Sequence, residues 1–180
     1  TLKCGTTALI NAISSVQSGK SNYSLVLSSD KRKSRVGSAQ ELDFGDASAA
    51  IGISDNNIIA KVLATSSVSV DFVDHFRAPN EEFDYNWEER WIRDEGYLKI
   101  IPKLINNLLK ENDINPSEIK KFILPCIFPR VPQTISKICG IDPENVVDNL
   151  ALNVGDSGSA HPLLMLTHVL ENAEPNEKIL

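Results

Sequence analysis

Positive charge, cysteine and long apolar runs are all scarce in this chain. Eighteen Lys and Arg stand against 24 Asp and Glu, for a net charge of −6 and a pI near 5.1. That balance argues against a surface that tracks a phosphate backbone, so nucleic acid is not an expected partner. The three cysteines, Cys4, Cys126 and Cys139, form no CxxC pair. A sparse, odd set of this kind argues against a disulfide scaffold and against a zinc ribbon, and it fits the reducing cytoplasm. No metal site is expected. No apolar run approaches the roughly 18–20 residues of a membrane-spanning helix. GxGxxG, Walker A, HExxH and GxSxG are all absent. With only three histidines, His75, His161 and His168, the choice of general bases is narrow.

What remains is an ordinary globular composition over 180 residues, 42% hydrophobic and 23% charged, enough for a real core. Gly5-Thr6-Thr7 leads into Ala8, Leu9, Ala12, Ile13 and Val16 at helical spacing, with a stop at Ser18-Gly19. Tyr23–Leu27 reads as a buried strand with a polar exit at Ser28-Ser29-Asp30. Lys31, Arg32, Lys33 and Arg35 then form a basic cluster, read as a solvated loop or, alternatively, as a phosphate contact. Small residues over 45–50 run into a strand ending near Ile53, and Asp55-Asn56-Asn57 marks a turn. Ile58–Thr65 reads as the second strand of a hairpin, and Ser66–Asp74 as a further strand. Phe76–Arg93 carries most of the aromatics among charges. It is read either as a ligand mouth or interface, or as an excursion packing on its own domain.

Helices are expected over Gly96–Asn112, Val131–Ile138 and about Ala160 to Asn172, with a strand at Lys121–Leu124. The alternation of strands and helices gives an α/β class with a largely parallel sheet. The chain opens inside what reads as a loop into a helix. It closes on Glu177–Leu180, which resembles the first residues of a strand, so it is expected to be a piece of a longer protein.

Two loops could carry chemistry. Asn153-Val154-Gly155-Asp156-Ser157-Gly158-Ser159 opens a helix, as does Lys3-Cys4-Gly5-Thr6-Thr7. Free N–H groups at such points stabilise anions or a developing oxyanion. Cys126 ends a strand and is read either as a nucleophile of lowered pKa or as a small buried hydrophobe. Cys4 stands at a helix N-terminus, which favours a thiolate. Cys139, at a helix end, is expected to pack. His161 and His168 are read as bases or as packed side chains.

In order, these pieces resemble the thiolase superfamily, in the branch containing ketoacyl-carrier synthase III and hydroxymethylglutaryl-CoA synthase. Leu2–Leu9 is similar to the nucleophile loop Cys-Lys-Ala-Gly-Thr-x-Ala, and Ser24–Asp30 to the strand that follows it. Phe44–Ala50 is similar to Gly-Asp-Gly-Ala-Ala-Ala, and Leu124-Pro125-Cys126 to Val-Pro-His. Asn153–Ala160 is similar to Asn-x-Gly-Asn-Thr-Ser-x-Ala, and Pro175–Leu180 to Pro-Gly-Asp-x-Val-Leu. The resemblance implies a duplicated fold in αβαβα layers. Residues 1–60 would end its first half, and 61–180 would form most of its second.

It also implies a site where an acyl-CoA or acyl-carrier thioester acylates a cysteine, with a His–Asn pair holding the thioester oxygen during Claisen-type condensation. No tightly bound cofactor is implied; acyl-CoA is the substrate or ligand. Partners would be a second copy or other thiolase-fold subunits. This sequence departs at all three catalytic positions, which fall on Leu2, Cys126 and Asp156. Leucine cannot form a thioester, and an aspartate repels an oxyanion unless burial keeps it protonated. Sliding Cys4 by two restores a nucleophile but breaks the Gly-Thr match. A rewired pair of Cys126 with His161 or Asp156 is another route. Asn153, Gly155, Ser157 and His161 are the expected substrate contacts. Three readings follow: an acyltransferase or condensing enzyme, an inactive thiolase-fold subunit serving binding or assembly, or a structural piece with no ligand.

Overall fold

The computed structural model describes residues 3–180. Helix α1 (Cys4–Gln17) packs on strand β1 (Tyr23–Lys31), which pairs antiparallel with β2 (Asp46–Ser54) in the register Val26↔Ile51 and Asp30↔Ala47. The period of two on β1 buries Val26 and Ser28 and leaves Tyr23, Leu25 and Leu27 on the outer face. The short helix α2 (Gln40–Asp43) lies between the two strands. A small hairpin, β3 (His75–Phe76) with β4 (Tyr85–Asn86), leads through α3 (Glu89–Trp91) and a π-helical stretch, Ile92–Tyr97, into α4 (Leu98–Glu111).

The second part of the chain is built around β5 (Ile119–Lys121) and α5 (Val131–Ile138). After α6 (Ala151–Val154), α7 (His161–Asn172) returns to pack on β2 and α1, and β6 (Lys178–Ile179) pairs parallel with β5. Ile105 and Leu109 of α4, Ile119, Phe122, Val131 and Ile135 form the main core. α5 matches its sequence reading residue for residue, because Pro132 in its first turn and Gly140 at φ 73° fix both ends.

Several expectations are corrected. β1 continues through Ser28–Asp30 to Lys31, since Ser28, Ser29 and Asp30 pair with Ala49, Ser48 and Ala47. Ile58–Thr65 and Ser66–Asp74 form no strand among the described residues; Ile59 is 86% exposed. Strand propensity is realised only against a partner, and β2 pairs with β1 instead of with 58–65. Pairing is therefore mixed: parallel contacts are confined to β5–β6 and to the bridges Phe44↔Asp156 and Phe122↔Val146. The helix expected from Gly96 begins at Leu98, after the π-helical stretch.

Ile135 is 0% exposed at the centre of the main core. Ile135→Ala should lower stability by about 2–5 kcal/mol, the loss expected for a buried aliphatic with little room to collapse. Denaturant titration measures it as a drop in midpoint at unchanged slope.

Candidate functional site

The loop 153–159 is held by the end of β1, by the approach to β2 and by α1. Asp156 donates its N–H to Asp43 O at 2.6 Å, and Gly45 N–H donates to Asp156 O at 3.1 Å. This seam needs two residues without side chains. A Cβ on Gly45 would fall 1.7 Å from Val154 O, and Gly155, at φ 65°, lies against Gly45 N. Ser28 Oγ donates to Ser159 O at 2.8 Å, and Asp30 Oδ2 accepts Ser159 N–H at 3.0 Å. A Cβ on Gly5 would meet that same Ser159 O at 2.4 Å, so the first turn of α1 rests directly on the loop.

Arg32 lies at the centre. It follows β1 directly, and its side chain is only 4% exposed. Nη1 meets Asp156 Oδ2 at 2.5 Å and Nη2 meets Asp84 Oδ2 at 3.3 Å. Its guanidinium carbon sits 3.4 Å from the Phe44 ring centroid, a close cation–π contact. Arg77 supports Asp84 from the other side at 3.3 Å. Asp156 uses its second oxygen to accept the Gly158 N–H at 2.9 Å. Both carboxylate oxygens are thus occupied, and the charge is answered by a cation. Of the basic cluster, Lys33 and Arg35 are exposed in the loop and Lys31 is exposed at the end of β1; the buried side chain of Arg32 corrects the reading of the cluster as a solvated loop. The usable signal was Asp156 itself, because a carboxylate where the resemblance expects an amide needs a cation beside it.

Cys126 is buried near Asp156, and its thiol is pushed up to about 11. Burial is the main cause; hydrogen bonds from the Phe128 backbone and with Tyr97 oppose it, and the Asp156 charge adds to it. Tyr97, edge-on to Phe128 at 5.8 Å, is itself raised well above its ordinary value by burial and by Cys126. His161 does not reach the Cys126 thiol, because both ring nitrogens are used elsewhere. Nε2 donates to Asn149 O at 2.8 Å, which leaves Nδ1 to accept from Ser157 Oγ at 3.1 Å. Asn149 in turn donates to Cys126 O at 2.9 Å, so His161 ties the loop to the Cys126 backbone. The alternative route through a Cys126–His161 pair is therefore not formed.

Ser157 is buried in this pin, Gly155 in the seam, and Asn153 is exposed on α6. Cys4 is exposed at the first position of α1. Cys139 packs in the core, its thiol raised by burial to about 11. His168 is exposed on α7. Leu2 lies outside the described residues.

The aromatic segment packs in part on its own domain and in part lines a hollow. Phe72 and Trp91 stack at 4.3 Å, so part of it packs on its own domain. Phe76, Phe83 and Tyr85 line a cleft of about 400 Å³ with Lys33, Arg35 and Phe44. Asp74 and His75 form a pair just before this segment, Oδ1 to Nδ1 at 2.7 Å. Sequence reading gave no role to Arg32, Tyr97, Asp84 or this pair.

Two outcomes test this arrangement. At pH 8 a thiol titrating near 11 is ionised to about one part in a thousand. Iodoacetamide should therefore modify exposed Cys4 in the native protein and spare Cys126 and Cys139, as read by peptide mass. Arg32→Met should cost about 3–5 kcal/mol, because it leaves Asp156 and Asp84 without their shared cation. Adding Asp156→Asn to that variant should recover part of the loss in thermal unfolding.

The geometry agrees with what comparison with known proteins finds. No protein-family model matches the chain. Hydroxymethylglutaryl-CoA synthase of Methanopyrus kandleri is 26% identical over 179 residues, covering 99% of this chain and 51% of that protein. The same enzyme of Pyrococcus furiosus is 28% identical over 181 residues, with the same coverage. The chain spans about half the length of the curated relatives it matches. Among solved structures, 3-oxoacyl-carrier-protein synthase III from Aquifex aeolicus superposes with a TM-score of 0.83 at 18% identity, over 99% of this chain and 59% of that one. Hydroxymethylglutaryl-CoA synthase complexed with CoA superposes with a TM-score of 0.69 at 18% identity, over 99% and 50%. No helix of the described residues is long and apolar enough to cross a membrane. The chain has the α/β thiolase-like fold, and its resemblance is to the branch of that superfamily holding ketoacyl-carrier synthase III and hydroxymethylglutaryl-CoA synthase.

Proposed function

We propose that this chain is part of a thiolase-like protein that takes acyl-CoA or acyl-carrier thioesters, and that it binds the thioester without being acylated by it. The ligand class is supported by the similar structures, one complexed with CoA and one with 3-hydroxy-3-methylglutaryl coenzyme A. The single observation that carries the second part is the Asp156–Arg32 pair beside a protonated Cys126.

Condensation on an acyl-enzyme needs a thiolate and two donors aimed at the thioester oxygen. With its thiol near 11, Cys126 is ionised to about one part in ten thousand at pH 7. Asp156 accepts through both oxygens and offers no donor. The loop geometry that would orient a thioester is nonetheless kept, by the Gly45–Gly155 seam and by the Ser159 contacts. A site that holds its shape without its nucleophile suits a subunit that binds or gates substrate, as a homodimer or beside other thiolase-fold subunits.

One observation favours the acylating reading. Cys4 is an exposed thiol at the start of α1, whose first turn rests on the loop carrying Asp156. Intact mass of the full-length protein after incubation with acetyl-CoA and longer acyl-CoAs, together with calorimetry, separates the two. Binding with unchanged mass is the expected result. An acyl adduct mapped to Cys4 or Cys126 makes the protein an acyl-transferring enzyme. Absence of any CoA binding removes the thioester reading.

A further inference from the structure

We infer that the β3–β4 hairpin and the start of α3 form a docking surface for a protein partner that presents arginine side chains. The observation that carries this is a row of exposed aromatic rings, rigidly supported and flanked by unpaired carboxylates. The inference does not depend on the thioester reading above.

Pairing fixes which side chains share the outer face. Phe76 lies opposite Tyr85 across the hairpin, and Trp87 follows Tyr85 at the strand period of two, so the three rings lie on one side. His75 and Asn86, which alternate with them, are half-buried. Phe76, Tyr85 and Trp87 are between 46% and 56% exposed. Single exposed apolar side chains are common, but adjacent exposed rings mark a place where something binds. The row is also ordered. Ring centroids lie 5.1 Å apart for Phe76 and Tyr85, 6.3 Å for Tyr85 and Trp87, and 6.2 Å for Trp87 and Trp91, the last two pairs edge-on. Trp91 is stacked on Phe72, and Phe72 fits closely against Gly96, where a Cβ would fall 2.8 Å from its ring. Trp87 N–H donates to Asp74 O at 2.8 Å, and the Glu88 carboxylate accepts the Arg90 and Trp91 N–H groups. A partner meets rings already in place, with little side-chain entropy left to lose.

Charge selects the partner. Glu81, Glu88 and Glu89 are exposed and form no ion pair among the described residues. Glu81 lines the cleft together with Phe76 and Tyr85. Only Arg90 is left to answer these carboxylates among the described residues, because Arg77 is taken by Asp84, Arg93 by Asp94 and Lys33 by Glu82. The patch is therefore aromatic with a negative surplus. A guanidinium suits both features, since it stacks on a ring face and forks onto a carboxylate. The chain makes the same contact internally, with Arg32 over Phe44 and Arg35 over Phe83, the latter at 6.0 Å. Among the described residues no cation covers Phe76, Tyr85 or Trp87. A second copy does not fit. A two-fold contact sets carboxylate against carboxylate, and the basic residues beside the hairpin, Lys33 and Arg35, already lie on Glu82 and Phe83. The same surplus repels an anionic ligand or membrane surface.

The test is fluorescence anisotropy of a labelled peptide alternating arginine with glycine, titrated with the full-length protein at low salt. Its citrulline counterpart is the uncharged isostere. The arginine peptide should bind, weaken as salt is raised, and exceed the citrulline peptide about tenfold in affinity. Trp87→Ala and Tyr85→Ala should each weaken it about 3- to 30-fold, the span between an exposed and a desolvated cation–π contact. Tyr85→Phe keeps the ring and should bind as wild type does, with thermal unfolding confirming that each variant is folded. Glu81→Gln combined with Glu89→Gln should weaken binding severalfold. Glu171→Gln combined with Glu174→Gln removes the same charge at the end of α7 and should leave binding unchanged, which separates this patch from the pull of a net charge of −6. The inference is overturned if the arginine peptide does not bind or binds no better than the citrulline peptide. It is equally overturned if Trp87→Ala and Tyr85→Ala bind at wild-type strength, or if the α7 pair weakens binding as much as the hairpin pair. Conversion of a dimer to a monomer by Trp87→Ala, read by sedimentation, assigns the rings to a second copy and overturns it as well.

Discussion

One buried guanidinium holds together the three parts of the chain that make the site. Arg32 leaves the end of β1, reaches Asp156 in the loop before α7, and reaches Asp84 in the aromatic connection. These residues lie 124 and 52 positions away in sequence, so the contact closes two long loops. A charge taken this far out of water is tolerated only when its partners are in place, and the reverse holds for the two carboxylates. The surroundings are shaped to the same end. Phe44 covers one face of the guanidinium, and a Cβ on Gly158 would fall 3.0 Å from Arg32 Cδ. The glycine at 158 leaves room for the arginine stem as much as it turns the loop.

Much of the fold was legible because its signals are local. α1, α5 and α7 follow from apolar spacing bounded by glycine and proline, and each has its own buried stripe. The loop 153–159 was legible as a turn of small residues opening a helix. Strands were read less well, since pairing is a property of two segments. Val68, Val70 and Phe72 alternate as a strand should, yet 66–74 finds no ladder among the described residues, and only Phe72 is drawn inward, against Trp91. β1 was cut short for a similar reason. Ser28-Ser29-Asp30 looks like a polar exit until Ser28 and Asp30 are seen to hold Ser159.

The site was legible as positions and not as chemistry. The Asp156 charge reaches Cys126; these are the two residues the motif order singles out. Their partners were invisible because each lies far away in sequence. Arg32 sits inside a run of four basic residues, three of them solvated, and nothing in the run itself marks one as buried. His161 carried the opposite error. Its place near Asp156 suggests a base, but buried polar groups seek partners, and Ser157 and Asn149 are the nearest donor and acceptor. His75 gave no signal, because an Asp-His dipeptide reads as ordinary polar sequence until the ring is found on the Asp74 carboxylate.

The departures from the thiolase pattern are coupled through charge. Replacing the expected asparagine by Asp156 adds a negative charge to a half-buried loop, and that alone would be unfavourable beside a developing oxyanion. Replacing the expected histidine by Cys126 removes the group that could have carried a compensating proton, and burial keeps the new thiol neutral. The remaining charge must be answered by a fixed cation, and Arg32 is that cation. Arg32 and Arg77 then balance Asp84 and Asp156, so the cluster is neutral as a whole. Each residue of this set is unfavourable without the others. Paired in this way, with the backbone seam at Gly45 and Gly155, these charges fix the 153–159 loop against the end of β1.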